Sequence, residues 1–224
     1  MDKRVANETI AEKLREVVKE PLDNWREVYA SFSPRDIETG GRIPRVPPDS
    51  TFRRAAVLVP VLMELEGPHL VYTVRRSHLN DHAGQISFPG GSIEPGDGSL
   101  LETALREAEE EIDLVPDLIE VIGALEDMYI PPSNFLVRPF VGLLPPEAEL
   151  TIAPDEVEEI LTTPLQTLLS PKTFRKTILT RDGRDYEVPF FDVQNHSKPK
   201  LWGATAAMTA ALLARLGWKQ YLTL

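Results

Sequence analysis

The sequence predicts an α/β protein in which a mixed β-sheet is clamped between helices. Three observations carry that prediction. Two strand-like runs, RRAAVLVPVLMEL (53–65) and HLVYTVRR (69–76), adjoin across a short turn holding Gly67 and Pro68. A helical pattern at about 99–112 separates them from further strand candidates at 117–127 and 135–144. A second helix, ATAAMTAALLARL (204–216), carries almost no charge and so belongs against the sheet on most of its sides.

Taken in order, NETIAEKLREVVKE (7–20) sets Ile10, Leu14, Val17 and Val18 at helical spacing, and Pro21 ends that helix. RIPRVPPDS (42–50) cannot hold a regular element and reads as a connector, so residues 1–50 form a helix plus linker ahead of a main domain at 51–224. The run at 53–65 is apolar enough to be a central strand. Beyond the second pair of strand candidates, EVEEILTTPL (156–165) continues the β pattern, as do TFRKTILT and DYEVPFFDV around the turn RDGR. No internal repeat interrupts the pattern.

Composition narrows the function. With 224 residues the chain can bury one substantial core, and its 42% hydrophobic and 26% charged residues are globular values. There are no cysteines, which removes disulfides, thiolate catalysis and Cys-based zinc sites. The longest apolar stretch, AAVLVPVLM (55–63), is too short to cross a bilayer, and MDKRVANETIAEKL lacks the apolar centre of a signal peptide. A soluble, cytoplasmic protein without a membrane partner is the expectation. A net charge of −11 also argues against a nucleic-acid partner. A small anionic substrate would need metal ions or local arginines to overcome that field.

The helix at 99–112 is chemically unusual. Ser99 and Glu102 have capping-box spacing, which places its start. Leu101, Leu105, Ala108 and Ile112 then form the core stripe, and Glu107, Glu110 and Glu111 share an arc of roughly 100° on the other side. An ordinary solvated helix would place lysines four residues on. Here those positions are Glu111, Leu114 and Val115. The acids also occupy the last two turns, where the helix dipole disfavours them. Carboxylates without His or Cys suit a hard ion such as Mg2+ or Mn2+, and such ions can clamp a phosphoryl displacement.

Residues 91–114 resemble the Nudix box, G-x5-E-x7-R-E-U-x-E-E-x-G-U with U aliphatic. Gly91 fits the leading glycine, and Arg106, Glu107, Ala108, Glu110, Glu111 and Leu114 fit the later positions. Fifteen positions separate Gly91 from Arg106, one more than in the motif, with Asp97 nearest to its loop acid, and Asp113 replaces the final glycine. Asp tolerates a left-handed conformation, so the helix-ending turn should survive. Upstream, TVRRSHLNDHAGQISFPGG (73–91) resembles the signature of the coenzyme A pyrophosphatase branch at Thr73, Arg75, Leu79, His82, Gly84, Phe88, Pro89, Gly90 and Gly91, with Arg76 in place of a serine. The longer loop is also what that branch shows, and LWGATAAM (201–208) resembles the start of its last helix.

The resemblance implies a Nudix-type α/β/α sandwich that hydrolyses coenzyme A or its derivatives with Mg2+ or Mn2+. It implies Glu107, Glu110 and Glu111 as metal ligands, helped by a carbonyl near Gly90 or Gly91, and Arg106 as a buried guanidinium that orients a glutamate. Arg106 pairing with Glu102 is the plainer reading. Glu110 and Glu156 are the candidate bases, and Glu156 could equally be a strand-edge charge. Arg75, Arg76, His82, Gly84 and Phe88 are the substrate-binding candidates. His82 reads more as a strut for the loop around Gly84, and of the two arginines Arg75 is the better candidate for a 3′-phosphate, since neighbouring strand residues face opposite ways. A homodimer is compatible with all of this. An NADH or dinucleotide pyrophosphatase is the alternative within the same chemistry. From another class, a catalytically idle nucleotide-binding module would be expected to have lost Arg106 or one of the glutamates, and a calcium protein to show an alternating acid loop.

Overall fold

The computed structural model describes residues 3–43, 51–76, 84–193 and 200–223, the side chains of 3–7 and 223 excepted. His82 and most of the 42–50 connector lie outside the described residues. The chain opens with α1 (Lys3–Lys19) and α2 (Trp25–Ser31), then β1 (Arg35–Asp36). The central strands β2 (Arg53–Glu64) and β3 (Gly67–Arg75) lead to β4 (Ile86–Ser87), β5 (Gly90–Ser92) and the acidic helix α3 (Leu100–Ile112). Next come β6 (Glu120–Ala124), β7 (Met128–Ile130), β8 (Phe135–Leu144), β9 (Val157–Pro164) and the short α4 (Leu165–Leu169). β10 (Phe174–Arg181), β11 (Arg184–Phe191), β12 (Leu201–Trp202) and α5 (Gly203–Arg215) complete it.

The main sheet runs β4-β3-β2-β8-β6, with β5 added to β2, β7 to β8 and β9 to β3. Among the described residues of this sheet only the β2–β8 ladder is parallel, from Arg53 opposite Phe135 to Leu62 opposite Leu144, so the sheet is mixed as expected. Pro60 can sit in the central strand because the antiparallel partners leave a gap there: β5 pairs through Val57 and β3 begins at Val61. Alternation along β2 sorts its side chains into two cores. Ala55, Val59 and Val61 join α1, α2 and α5 on one face, while Ala56, Leu58 and Leu62 meet Ala104, Ala108 and Ile112 of α3 on the other. That is an α/β/α sandwich.

Two details differ from the sequence expectation. Within α3 the stripe is turned: Ala104, Ala108 and Thr103 are fully buried, whereas Leu101 and Leu105 are only half-buried. The small side chains let the helix lie close on β2 and β5, and this rotation carries Glu111 inward with them. The hairpin at 174–191 does not extend the main sheet either. It belongs to a second, antiparallel sheet of four strands, β1-β11-β10 with β12 beside β11. Asp182 and Gly183 at its tip have φ of 53° and 73°, the two left-handed residues that a tight hairpin turn needs. Phe191 of this sheet stacks on Phe32, with ring centres 5.6 Å apart, which fastens the segment after α2 to the domain.

Candidate active site

The acidic helix begins and ends as its sequence requires. Ser99 accepts the Glu102 N–H at 3.2 Å, and the Glu102 carboxylate accepts the Gly98 N–H at 2.9 Å. At the other end Asp113 adopts φ 53°, ψ 32°, the left-handed turn that the motif glycine would make. Because Glu102 is occupied by the cap, it does not pair with Arg106, and the plainer reading of Arg106 fails. Its guanidinium instead grips the preceding loop, with Nε 3.0 Å from Asp97 Oδ1 and Nη2 3.2 Å from Oδ2. The same group reaches Glu107 at 3.0 Å and Glu110 at 2.8 Å. Asp97 is held well below the ordinary carboxylate range, first by Arg106 and then by the Glu94 N–H. The extra loop residue is thus absorbed in a tight turn from Glu94 to Asp97 that sets the acid against the arginine.

The three box glutamates have separated. Glu110 is exposed and bonded to Arg106, Glu107 is half-buried, and Glu111 is 4% exposed, beneath Gly90. Burial pushes the Glu111 carboxyl up to about 8, with Glu107 and Glu156 adding to the effect and Arg75 and the Gly90 N–H opposing it. Glu107 is also raised, again first by burial. Oε2 of Glu111 is buried with no hydrogen-bond partner. Among the described residues no three acidic or histidine side chains close around one point. The arc expected from helical spacing has become one buried carboxylate, one half-buried neighbour and Glu156, which approaches from the start of β9.

The glycines explain how close the backbone comes. A Cβ on Gly91 would collide with the Glu107 carboxylate, and one on Gly90 with the Ala56 carbonyl and Val57. Gly90 also has φ 156°, at the limit of what a side chain allows. Arg75, at the end of β3, has Nη1 4.0 Å from Glu111 Oε1. The Arg76 backbone N–H donates to the Glu156 carbonyl at 3.0 Å, tying the two strand ends together, and its side-chain Nε is buried with no hydrogen-bond partner. Gly84, at φ 67°, donates its N–H to the Arg75 carbonyl at 2.9 Å. Phe88 is buried and stacked on Tyr72 at 4.8 Å.

A cavity of about 630 Å3 opens beside these groups. Arg75, Phe88, Gly90 and Gly91 stand at its inner end, Trp202 and Met208 belong to its α5 side, and Tyr186 comes from the second sheet. Sequence reasoning missed Trp202 and Tyr186 as site residues. The one available signal was Trp202 within the LWGATAAM segment, which marks a helix start and carries no hint of a cavity.

A mixed sheet flanked by helices, with a Gly-Gly turn over a capped, arginine-braced acidic helix, defines a Nudix-type hydrolase fold. The NUDIX domain family model matches residues 52–182. The chain is 40% identical to the uncharacterized Nudix hydrolase NudL of Photorhabdus laumondii subsp. laumondii, over 70% of this chain and 81% of that protein. With the protein of the same description from Enterobacter sp. it shares 36% identity over 75% of this chain and 84% of that one. The MutT/nudix family protein of Enterococcus faecalis is similar in fold, with a TM-score of 0.51 at 15% identity over 79% of this chain and 66% of that chain. The chain belongs to the Nudix family and is a Nudix hydrolase, an enzyme acting on nucleoside diphosphate derivatives. Among the described residues no helix is long and apolar enough to cross a membrane.

Proposed function

We propose that this enzyme hydrolyses the diphosphate linkage of coenzyme A or its derivatives, giving adenosine 3′,5′-bisphosphate and 4′-phosphopantetheine. The observation that supports it most is Glu111, a buried carboxylate with an unpartnered oxygen and with Glu107, Glu156 and Arg75 in electrostatic range. A protein gains nothing from burying such a group unless positive charge arrives there. An all-oxygen donor set in a chain without cysteine fits Mg2+ or Mn2+. Glu107 and Glu111 would hold it, with a carbonyl at Gly90 or Gly91 and with Glu110 as the third box ligand. When bound, the ion neutralises charge on the diphosphate and acidifies the attacking water.

The protein's own residues supply the rest. Water forms a bond to one phosphorus, the bridging P–O bond breaks, and the bridging oxygen leaves on the other phosphate. Glu156 is exposed at the rim and within electrostatic reach of Glu107 and Glu111, so it is the better placed proton acceptor; Glu110 is held by Arg106. Arg106 positions Glu107 and Glu110 while Asp97 fixes Arg106. Arg75, beside Glu111, faces the diphosphate; Phe88 lines the cavity next to it, and Gly84 holds the Arg75 carbonyl. Coenzyme A is favoured over NADH or another dinucleotide by the signature at 73–91. The test is incubation with coenzyme A, NADH and diadenosine polyphosphates with Mg2+ or Mn2+, read by chromatography. Adenosine 3′,5′-bisphosphate should appear fastest from coenzyme A. Cleavage of NADH with coenzyme A left intact would overturn the assignment.

A further inference from the structure

Antiparallel geometry fixes which backbone groups of the second sheet are still open to a partner. Arg181 and Arg184 flank the tight turn at the tip of the β10–β11 hairpin, so they form a hydrogen-bonded pair, and every second residue along the ladder repeats it. Arg181, Leu179, Thr177 and Arg175 therefore turn their N–H and C=O groups towards β11. The Asp192 N–H donates to the Thr173 carbonyl at 2.8 Å, in the same phase. Phe174, Lys176, Ile178 and Thr180 turn theirs to the far edge, where no strand pairs with β10 among the described residues.

That edge lacks the devices that usually keep sheet edges apart. β10 runs without a bulge and holds neither a proline nor an acid. Its cations are satisfied within the sheet, Lys176 by Glu187 at 3.1 Å and Arg175 by Asp192 at 3.3 Å. β9, which among the described residues pairs only with β3, shows the contrast: Glu158 and Glu159 are exposed on it and Pro164 ends it. The middle of β10 carries Ile178, which is 64% exposed, and among the described residues no large hydrophobic side chain is more so. An open ladder edge and an apolar side chain thus coincide on one strand.

We propose that two copies of the chain meet here, β10 lying antiparallel to β10 of the partner subunit about a two-fold axis at Thr177, so that the two second sheets become one. Charge selects the axis. Placed at Ile178, it would set Arg175 opposite Arg181 of the partner subunit, and placed at Lys176 it would set two lysines together. Placed at Thr177, it sets Lys176 opposite Ile178 of the partner subunit, whose neighbour across β11 is Glu187. The lysine stem then covers the isoleucine while its ammonium reaches the glutamate, and symmetry repeats the match. Thr177 meets its own counterpart. Arg175 comes opposite Leu179 of the partner subunit, a residue that lines the cavity, so each copy covers one flank of the other's site. A foreign strand could bond the same backbone groups but would not bring these matched side chains.

The chain has no cysteine, so a single one reports the pairing. Thr177→Cys sets two thiols at a non-hydrogen-bonded cross-strand pair, with Cα atoms about 4.5 Å apart, which a disulfide can bridge. With glutathione disulfide as oxidant, the full chain carrying Thr177→Cys should form a linked dimer about tenfold or more faster than Thr180→Cys, whose two copies stand several residues apart along the strands. Native protein followed by light scattering over about 1–100 µM should approach twice the mass of the chain. Ile178→Lys faces Lys176 of the partner subunit on both sides of the axis and should weaken association by about tenfold or more, with the circular dichroism unchanged because Ile178 is exposed. A native chain that stays monomeric over that range overturns the inference. So does Thr180→Cys or Ile178→Cys linking as fast as Thr177→Cys, or a dimer that keeps its native strength in Ile178→Lys. None of these readouts depends on which diphosphate the enzyme cleaves.

Discussion

Replacing Glu111 by glutamine removes a charge at nearly constant shape, and the buried position makes the consequence calculable. The carboxyl of Glu111 is pushed up to about 8 from an ordinary 4.5. An acid whose folded pKa lies above its unfolded one leaves stability intact below about pH 4.5. It then removes stability as the pH rises, until the folded pKa is passed near 8. At pH 7 and without metal, some 2.5 pH units of that slope, at about 1.4 kcal/mol each, amount to about 3 kcal/mol. Glutamine abolishes this loss but buries an amide, whose unmet hydrogen bonds return about 1–2 kcal/mol. The net gain of about 1–2 kcal/mol should raise the melting temperature of Glu111→Gln above native by roughly 2–8 °C in chelator at pH 7. Near pH 4, where the native carboxyl carries no penalty, the sign should reverse, with the variant melting below native by the amide's cost of about 1–2 kcal/mol. Adding Mn2+ at about a hundred times its Kd should stabilise native protein by about 2.7 kcal/mol and the variant much less. Turnover should fall by about 10²-fold or more, because the lost charge acts in the transition state. A variant that melts below native in chelator at pH 7, or gains as much from Mn2+, would refute the reasoning.

Glu156→Gln should depress kcat by about 10²-fold with little change in KM, and a loss under about twofold returns Glu156 to the strand edge. Arg106→Lys keeps the charge but cannot span Asp97, Glu107 and Glu110 together; urea titration should show a loss of about 2 kcal/mol, and a loss under 0.5 would mean that the clasp is idle. Gly91→Ala should fold normally and lose activity, since its Cβ meets the movable end of Glu107, whereas Gly90→Ala meets backbone and should lower the melting temperature as well. Arg75→Ala should cost the same on coenzyme A and dephospho-CoA, because Arg75 stands beside Glu111; a larger loss on coenzyme A would restore the 3′-phosphate role.

Elements governed by local chemistry were legible in the sequence. The cap at Ser99, the left-handed Asp113 and the bounds of β8 follow from a few neighbouring residues each. The rotation of α3 was not legible, because helical periodicity ranks side chains by hydrophobicity, while close packing on a sheet favours the small Ala104 and Ala108 over Leu101 and Leu105. Glu111 went inward for that reason. Spacing left two readings of Arg106 open, a glutamate-orienting guanidinium or a partner of Glu102, because the competition between Arg106 and the helix start for Glu102 is invisible to a spacing rule. The cavity wall was out of reach altogether: Ile43, Leu179 and Trp202 share no pattern, and only the second sheet brings them together.

The N-terminal helices α1 and α2 have a partner, α5, that is made much later than they are. The buried side chains of α1 and α2 lie in one core with those of α5, and Asn24 donates to the Tyr221 hydroxyl at 2.6 Å across 197 residues of sequence. During synthesis Leu14, Val18, Val28 and Phe32 leave the ribosome long before the helix that covers them exists. The sheet faces the same delay, since β2 waits for β8. Contacts of such long range close late and slowly, and the apolar stripe stays uncovered meanwhile. The acids of Glu8, Glu12, Glu16 and Glu20 along α1 and beyond its end face solvent on the folded protein. On the nascent chain the same charges keep a waiting helix from finding a second unfinished copy of itself.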